Sequence, residues 1–145
     1  MNDLRESDVV KIEYIENTVP DTGSLENLYN DAGFSFYTKD MKKLYSAINK
    51  SLFVISAWHD NMLVGLARAV GDEETILYIQ DILVLKSYKR KGIGTALTEI
   101  IAKKYPRVRQ KVLLADDTAE MRSFYESLDF VPCDKGNLVA FVKFD

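Results

Sequence analysis

The apolar positions of this chain change period several times, and each change marks an element. Val9, Lys11, Glu13 and Ile15 alternate imperfectly with Val10, Ile12 and Tyr14, which predicts a first strand from Val9 to Ile15. Pro20-Asp21-Thr22-Gly23-Ser24 is a turn and capping cluster, and after it Leu25, Leu28 and Tyr29 take i, i+3, i+4 spacing until Gly33 stops the helix. Thr38 is placed to cap a second helix, in which Met41, Leu44, Tyr45 and Ile48 form one apolar face. The runs from Leu52 to Trp58 and from Leu63 to Val70 are β-rich and flank the turn His59-Asp60-Asn61, so they read as a hairpin. Gly71-Asp72-Glu73-Glu74 turns the chain into a long strand from Thr75 to Leu85. Its end, Ile82-Leu83-Val84-Leu85, is apolar on both faces, as a central strand requires.

Ala96, Leu97, Ile100 and Ile101 then mark a helix ending near Tyr105-Pro106, and Val112-Leu113-Leu114-Ala115 is a short buried strand. Strand, helix, strand makes one βαβ unit with parallel strands. Asp117 or Thr118 caps a last helix carrying Met121, Phe124, Tyr125 and Leu128 at i, i+3, i+4 and i+7. Phe130 to Cys133 and Leu138 to Phe144 are expected to pair across Asp134-Lys135-Gly136-Asn137. The expectation is a single α+β domain over residues 1–145: a mixed, mostly antiparallel sheet of about seven strands, with four helices and one parallel βαβ unit.

Composition narrows the function classes. The 145 residues suit one domain, and 47% apolar with 28% charged residues is the composition of a soluble globular protein. No uncharged apolar run approaches the ~20 residues of a membrane span, and the first residues lack the basic and apolar regions of a signal peptide. The lone Cys133 cannot form an internal disulfide, and one Cys with one His cannot supply a structural zinc site. A cytoplasmic protein without a metal is expected.

The net charge of −3 conceals an asymmetry. Between Lys86 and Lys111 stand Lys86, Lys89, Arg90, Lys91, Lys103, Lys104, Arg107, Arg109 and Lys111 against the single acid Glu99. An anionic ligand belongs near such a segment. Nucleic acid fits poorly, because the rest of the chain is acidic and aromatic residues are not interleaved with the cations.

The stretch from Ser87 to Leu97 lies between a central strand and a helix and contains Gly92-Ile93-Gly94. Two glycines let backbone approach a ligand, and the first helical turn points unpaired N–H groups at it. Lys89, Arg90 and Lys91 add full charges to that partial one, so Lys89 to Thr95 suits a pyrophosphate. Two other phosphate loops do not match. A dinucleotide fingerprint needs glycine where Leu97 stands, and a nucleoside-triphosphate loop needs its lysine after the glycine rather than before it. Spacing alone leaves open a tight turn with a solvated basic rim.

From Ser51 to Phe144 the chain resembles the GNAT superfamily of acetyl-CoA-dependent N-acetyltransferases, whose signature is Gln/Arg-X-X-Gly-X-Gly/Ala after the fourth strand. Here it reads Lys89-Arg90-Lys91-Gly92-Ile93-Gly94, and Phe124-Tyr125-Glu126-Ser127-Leu128-Asp129-Phe130 is similar to the family's Phe-Tyr-X-X-X-Gly-Phe. Lys89, Asp129 and Thr118 depart from the usual glutamine or arginine, glycine and asparagine. Ala32-Gly33-Phe34 and the run from Ile79 to Leu85 further resemble small bacterial members and the plant-type serotonin N-acetyltransferases, which hints at an arylalkylamine acceptor.

The resemblance implies acetyl-CoA as cosubstrate, a small-molecule amine as acceptor, no nucleic-acid or membrane partner, and room for a homodimer. It places Tyr125 as the general acid for the leaving thiolate, where helical spacing alone gives a core aromatic. It also places the acetyl carbonyl at backbone N–H groups around Leu83, Val84 and Leu85. An alkylamine with a pKa near ~10.4 is protonated at neutral pH, so a carboxylate or ordered water must relay its proton. Asp81 and Asp117 are the candidates: Asp81 among apolar strand residues, either as base or paired with a donor, and Asp117 either as base or, more in keeping with its position, as a helix cap. Phe34, Phe36 and Tyr37 are read as acceptor-binding aromatics or as core. His59 reads as a solvated turn residue, and Cys133 as structural, so direct transfer in a ternary complex is expected. The alternative is a non-catalytic acyl-CoA-binding or sensing module.

Overall fold

A computed structural model describes residues 10–145, so Val9, at the head of the expected first strand, lies outside the described residues. The chain divides between Leu113 and Leu114 into two compact units. The first contains β1 (Glu13–Glu16), α1 (Thr22–Asp31), α2 (Ser35–Thr38), α3 (Met41–Asn49), β2 (Phe53–His59), β3 (Met62–Gly71), β4 (Ile76–Val84), α4 (Ile93–Lys104) and β5 (Gln110–Leu113). The strands form one sheet in the order β1-β2-β3-β4-β5. Neighbours are antiparallel except β4 and β5, which are parallel and joined through α4, as the βαβ pattern predicts.

Local chemistry sets the element ends. Asp21 caps α1 by accepting the Ser24 N–H. The cap of α3 is Asp40, which accepts from Lys43 N–H, and not Thr38. Residues 35–38 form a helical turn of their own, in which the Thr38 hydroxyl donates to Ser35 O, so the available cap moves downstream. The β2–β3 hairpin closes with His59 opposite Met62, and Asp60 and Asn61 take φ of 47° and 66°. Those left-handed values give a two-residue turn whose twist matches that of the strands.

Helices cover both faces of the sheet. A Cβ at Gly65 of β3 would lie 3.1 Å from Ile93 Cγ2, so this face meets α4. Arg68, three positions further, points to the opposite face, where α1 supplies Tyr29. Between them the strands bury Phe53, Ile55, Ala57, Leu66 and Leu77. In the β3–β4 ladder Arg68 faces Asp81 while Ala69 faces Ile79, which leaves Gln80 as the extra residue of a bulge.

The second unit contains α5 (Ala119–Ser127). Thr118, not Asp117, supplies the cap by accepting from Met121 N–H, because Asp117 is engaged by Arg122. The helix ends with Phe130 N–H on Tyr125 O and Asp129 N–H on Glu126 O, and Asp129 takes φ of 69°.

The expected hairpin of Phe130 to Cys133 with Leu138 to Phe144 does not form, so the sheet has five strands among the described residues and not about seven. Pro132 lacks an N–H, and the chain curls after it into a 3₁₀ turn, Cys133–Lys135, with Lys135 N–H on Pro132 O. The second run then has no extended neighbour, and alternating apolar residues do not make a strand without one.

Candidate active site

β4 is paired on its two edges over different lengths. The ladder to β3 runs from Leu77 to Val84, whereas the ladder to β5 spans Ile76 to Ile79. From Gln80 onward the β5 side of the strand is an open edge, with no strand partner among the described residues. Leu85 N–H donates to Val64 O at 2.9 Å, and Gly65 stands opposite Val84. In an antiparallel ladder this alternation turns the N–H groups of Leu83 and Leu85 toward β3, and those of Ile82 and Val84 toward the open edge. Of the three residues named from sequence, only Val84 offers its N–H there, and Ile82 joins it. That parity follows from the register, which sequence does not supply.

The strand leads through a single 3₁₀ turn, Lys86–Tyr88, into the glycine loop. Arg90 and Gly92 take φ of 63° and 79°, and Gly92 begins α4 without a side-chain cap. Ala96 N–H makes the first intrahelical bond, to Gly92 O, so the N–H groups of Ile93, Gly94 and Thr95 precede it. Lys89, Arg90 and Lys91 are exposed around this helix start. The donor set, an open strand edge followed by an uncapped helix N-terminus ringed by cations, fits an extended ligand with amide groups at one end and phosphates at the other. Lys103, Lys104, Arg107, Arg109 and Lys111 lie toward the far end of α4, so the basic segment is two separate groups; Lys104 pairs with Glu16.

Asp81 is buried on the α1 face. Its Oδ2 accepts from Arg68 Nε at 2.5 Å and from the Tyr29 hydroxyl at 2.6 Å, while no described residue donates to Oδ1. Burial works against the Arg68 charge, but Asp81 outweighs it and raises the guanidinium pKa. Burial, reinforced by Asp81, holds the Tyr29 phenol well above its ordinary value. The same cluster reaches the aromatic segment: Tyr29 and Tyr37 rings meet edge to face at 5.6 Å, and Gln80 Nε2 donates to the Tyr37 hydroxyl at 2.8 Å. Phe34, Phe36 and Tyr37 pack on one another, with Phe36 and Tyr37 centroids 4.2 Å apart and Phe36 62% exposed. Asp81 is thus linked through Tyr29 to Tyr37 and, beyond it, to Phe34.

Tyr125 and Asp117 belong to the second unit. Tyr125 packs against Phe124 and Phe130, and burial pushes its phenol up to about 12. Asp117 accepts from Arg122 Nε at 2.6 Å, and this hydrogen bond and charge hold its carboxyl below the usual range, which weakens it as a proton acceptor. Cys133 is exposed with a free thiol. His59 is not the solvated turn residue expected from its position. Its Nδ1 lies 2.5 Å from the Tyr88 hydroxyl, at the entrance to the glycine loop, and only the register of β2 could have revealed this. Among the described residues no group of three His, Cys, Asp or Glu side chains could hold a metal, and no helix is long and apolar enough to cross a membrane.

Comparison with known proteins places the chain in a family. Residues 24–144 match the acetyltransferase (GNAT) domain family. An uncharacterised ycf52-like N-acetyltransferase of Prochlorococcus marinus is 31% identical over 123 residues; the match spans 81% of this chain and 66% of that protein, so the chain accounts for just under two thirds of its relative's length. A GNAT family acetyltransferase of Streptococcus pneumoniae superposes with a TM-score of 0.83 at 25% identity, over 93% of this chain and 98% of its own. An aminoglycoside N-acetyltransferase solved with CoA shares the fold with a TM-score of 0.72 at 14% identity, over 92% of this chain and 95% of its own. With its glycine loop after the central strand and its one parallel strand pair, the chain belongs to the GNAT family of acetyltransferases, which use acetyl-CoA.

Proposed function

We propose that this protein transfers the acetyl group of acetyl-CoA to a primary amine by direct attack within a ternary complex. The observation that carries this reading is the open edge of β4 beyond Ile79 running into the uncapped start of α4 behind Lys89, Arg90 and Lys91. Acetyl-CoA held there supplies an activated acyl thioester. Ile82 and Val84 offer N–H donors along the strand edge for the pantetheine arm and the acetyl carbonyl. Lys89, Arg90 and Lys91, with the N–H groups of Ile93, Gly94 and Thr95 and the backbone freedom of Gly92, hold the pyrophosphate.

The acceptor amine is assigned to the segment bearing Phe34 and Tyr37. The exposed Phe36 ring beside the half-buried Phe34 and Tyr37 suits an aryl or cationic group, and an arylalkylamine is the finer reading. Asp81 is the proton acceptor in this scheme through Oδ1, while Arg68 and Tyr29 orient the carboxylate through Oδ2. Asp117 is the second candidate, its carboxyl held below the usual range by Arg122. Tyr125 holds a proton for the leaving sulfur, and its raised pKa keeps that proton in place at neutral pH.

Release of free CoA thiol from acetyl-CoA, measured against arylalkylamines, polyamines, aminoglycosides and short peptides, tests the reading. Acceleration by one amine class establishes transfer and names the acceptor. Acetyl-CoA binding with no acceleration by any class assigns a sensing module instead. Tyr125→Phe is expected to lower kcat by about 10²-fold or more while CoA still binds; unchanged turnover removes Tyr125 from the mechanism.

A further inference from the structure

The turn Lys86–Tyr88 is held by two side chains from distant parts of the first unit. Asp31, the last residue of α1, accepts the Lys86 N–H on Oδ2 at 2.7 Å. His59, the last residue of β2, meets the Tyr88 hydroxyl through Nδ1 at 2.5 Å, and its Nε2 lies 3.3 Å from the Asp60 carboxylate. The two rings also pack edge to face at 5.5 Å.

Neither residue is explained by its own element. A carboxylate on the last residue of a helix sits at the negative end of the helix dipole and disfavours the helix, and α1 has no basic residue in its last turn to offset it. The hairpin after β2 makes its conformational demands on Asp60 and Asn61, not on His59. What Asp31 and His59 share is the turn they both grip.

We propose that Asp31 and His59 are positioning residues for the anion-binding loop, two clasps that fix Lys86 and Tyr88 so that residues 89–95 meet their ligand already arranged. This rests on the acetyl-CoA reading above. The loop has little to hold it otherwise: its entry relies on Tyr88 N–H to Leu85 O at 2.8 Å and Lys89 N–H to Lys86 O at 3.4 Å, and it contains two left-handed residues, Arg90 and Gly92. A loop ordered before binding gives up less conformational freedom when it binds. Asp31 is also a negative charge near an anion site, which electrostatics alone would disfavour, so its hydrogen bond must outweigh its charge.

The test pairs a conservative with a truncating variant at each clasp: Asp31→Asn and Asp31→Ala, His59→Gln and His59→Ala. The asparagine and glutamine amides can still bond Lys86 N–H and the Tyr88 hydroxyl, whereas alanine cannot. CoA affinity by calorimetry is expected to fall about fivefold from Asn to Ala and from Gln to Ala. The KM for acetyl-CoA should rise in step, with kcat at saturation unchanged. Amide exchange at residues 86–92 of the ligand-free protein should quicken in both alanine variants and stay slow in their conservative partners. Equal CoA affinity and equal exchange in each pair overturn the clasps, as does a fall in Tm without a change in Kd. If the unaltered protein binds no CoA, the acetyl-CoA reading fails, and the exchange data still decide the clasps.

Discussion

Arg68 stands directly opposite Asp81 in the β3–β4 ladder, and the two close a buried ion pair at 2.5 Å with both side chains less than a tenth exposed. The pair occupies the last regular position before the bulge at Gln80, and Tyr29 reaches it from α1. Such a pair derives its value from completeness, because either charge left alone in the interior has lost its water with no return.

Asp81→Ala is therefore expected to cost about 3–5 kcal/mol in a urea titration, more than the lost contacts alone imply. The double variant Arg68→Met/Asp81→Leu should recover most of that loss. A single variant that unfolds at the midpoint of the unaltered protein contradicts the buried-pair account.

At Gly65 the sheet lies close against α4. An alanine there would place its Cβ 3.1 Å from both Ile93 Cγ2 and Leu83 O, and the carbonyl cannot move without the strand. Gly65→Ala should cost about 1–3 kcal/mol. Because Ile93 opens α4 at the anion site, CoA affinity should fall with stability, and thermal unfolding followed by CoA titration reads both.

The Tyr125 phenol is raised by burial to about 12, so the fold favours its neutral form. The contribution is fully present below the ordinary tyrosine pKa of about 10 and is lost as the pH climbs toward 12. Unaltered protein should lose stability across that window more steeply than Tyr125→Phe in denaturant titrations at successive pH values. Identical alkaline slopes would show that Tyr125 is not the buried phenol.

Asp129 holds a left-handed conformation at the C-terminal end of α5 with φ of 69°, where glycine carries no Cβ penalty. Asp129→Gly should raise stability by about 0.5–1 kcal/mol, with acetyl transfer unaffected. A lower Tm for this variant runs against the strain argument.

Much of this molecule is readable from local pattern because its causes are local. The i, i+3, i+4 spacing of Leu25, Leu28 and Tyr29 places α1, and Asp60-Asn61 between two β-rich runs places the hairpin. Caps were less legible: Thr38 has the right chemistry but Asp40 performs the capping, and of the two candidates Asp117 and Thr118 it is Thr118 that caps α5, because neighbouring hydrogen bonds engage the other two. The C-terminal apolar run misled, since alternation records a preference for pairing and not the presence of a partner.

The sequence by itself determined the periodic elements and the glycine loop with its cations, since each depends on residues within a few positions of one another, and the parallel crossover, which the strand–helix–strand order dictates. Only the tertiary structure decided that the β4–β5 ladder stops at Ile79, that Ile82 and Val84 face the open edge, that Asp81 is shared by Arg68 and Tyr29, and that Asp31 and His59 grip one turn. Those relations join residues 13 to 55 positions apart or hang on register, where a shift of one residue reverses every direction. Register is fixed by the packing of the whole sheet, and no short stretch of sequence contains it.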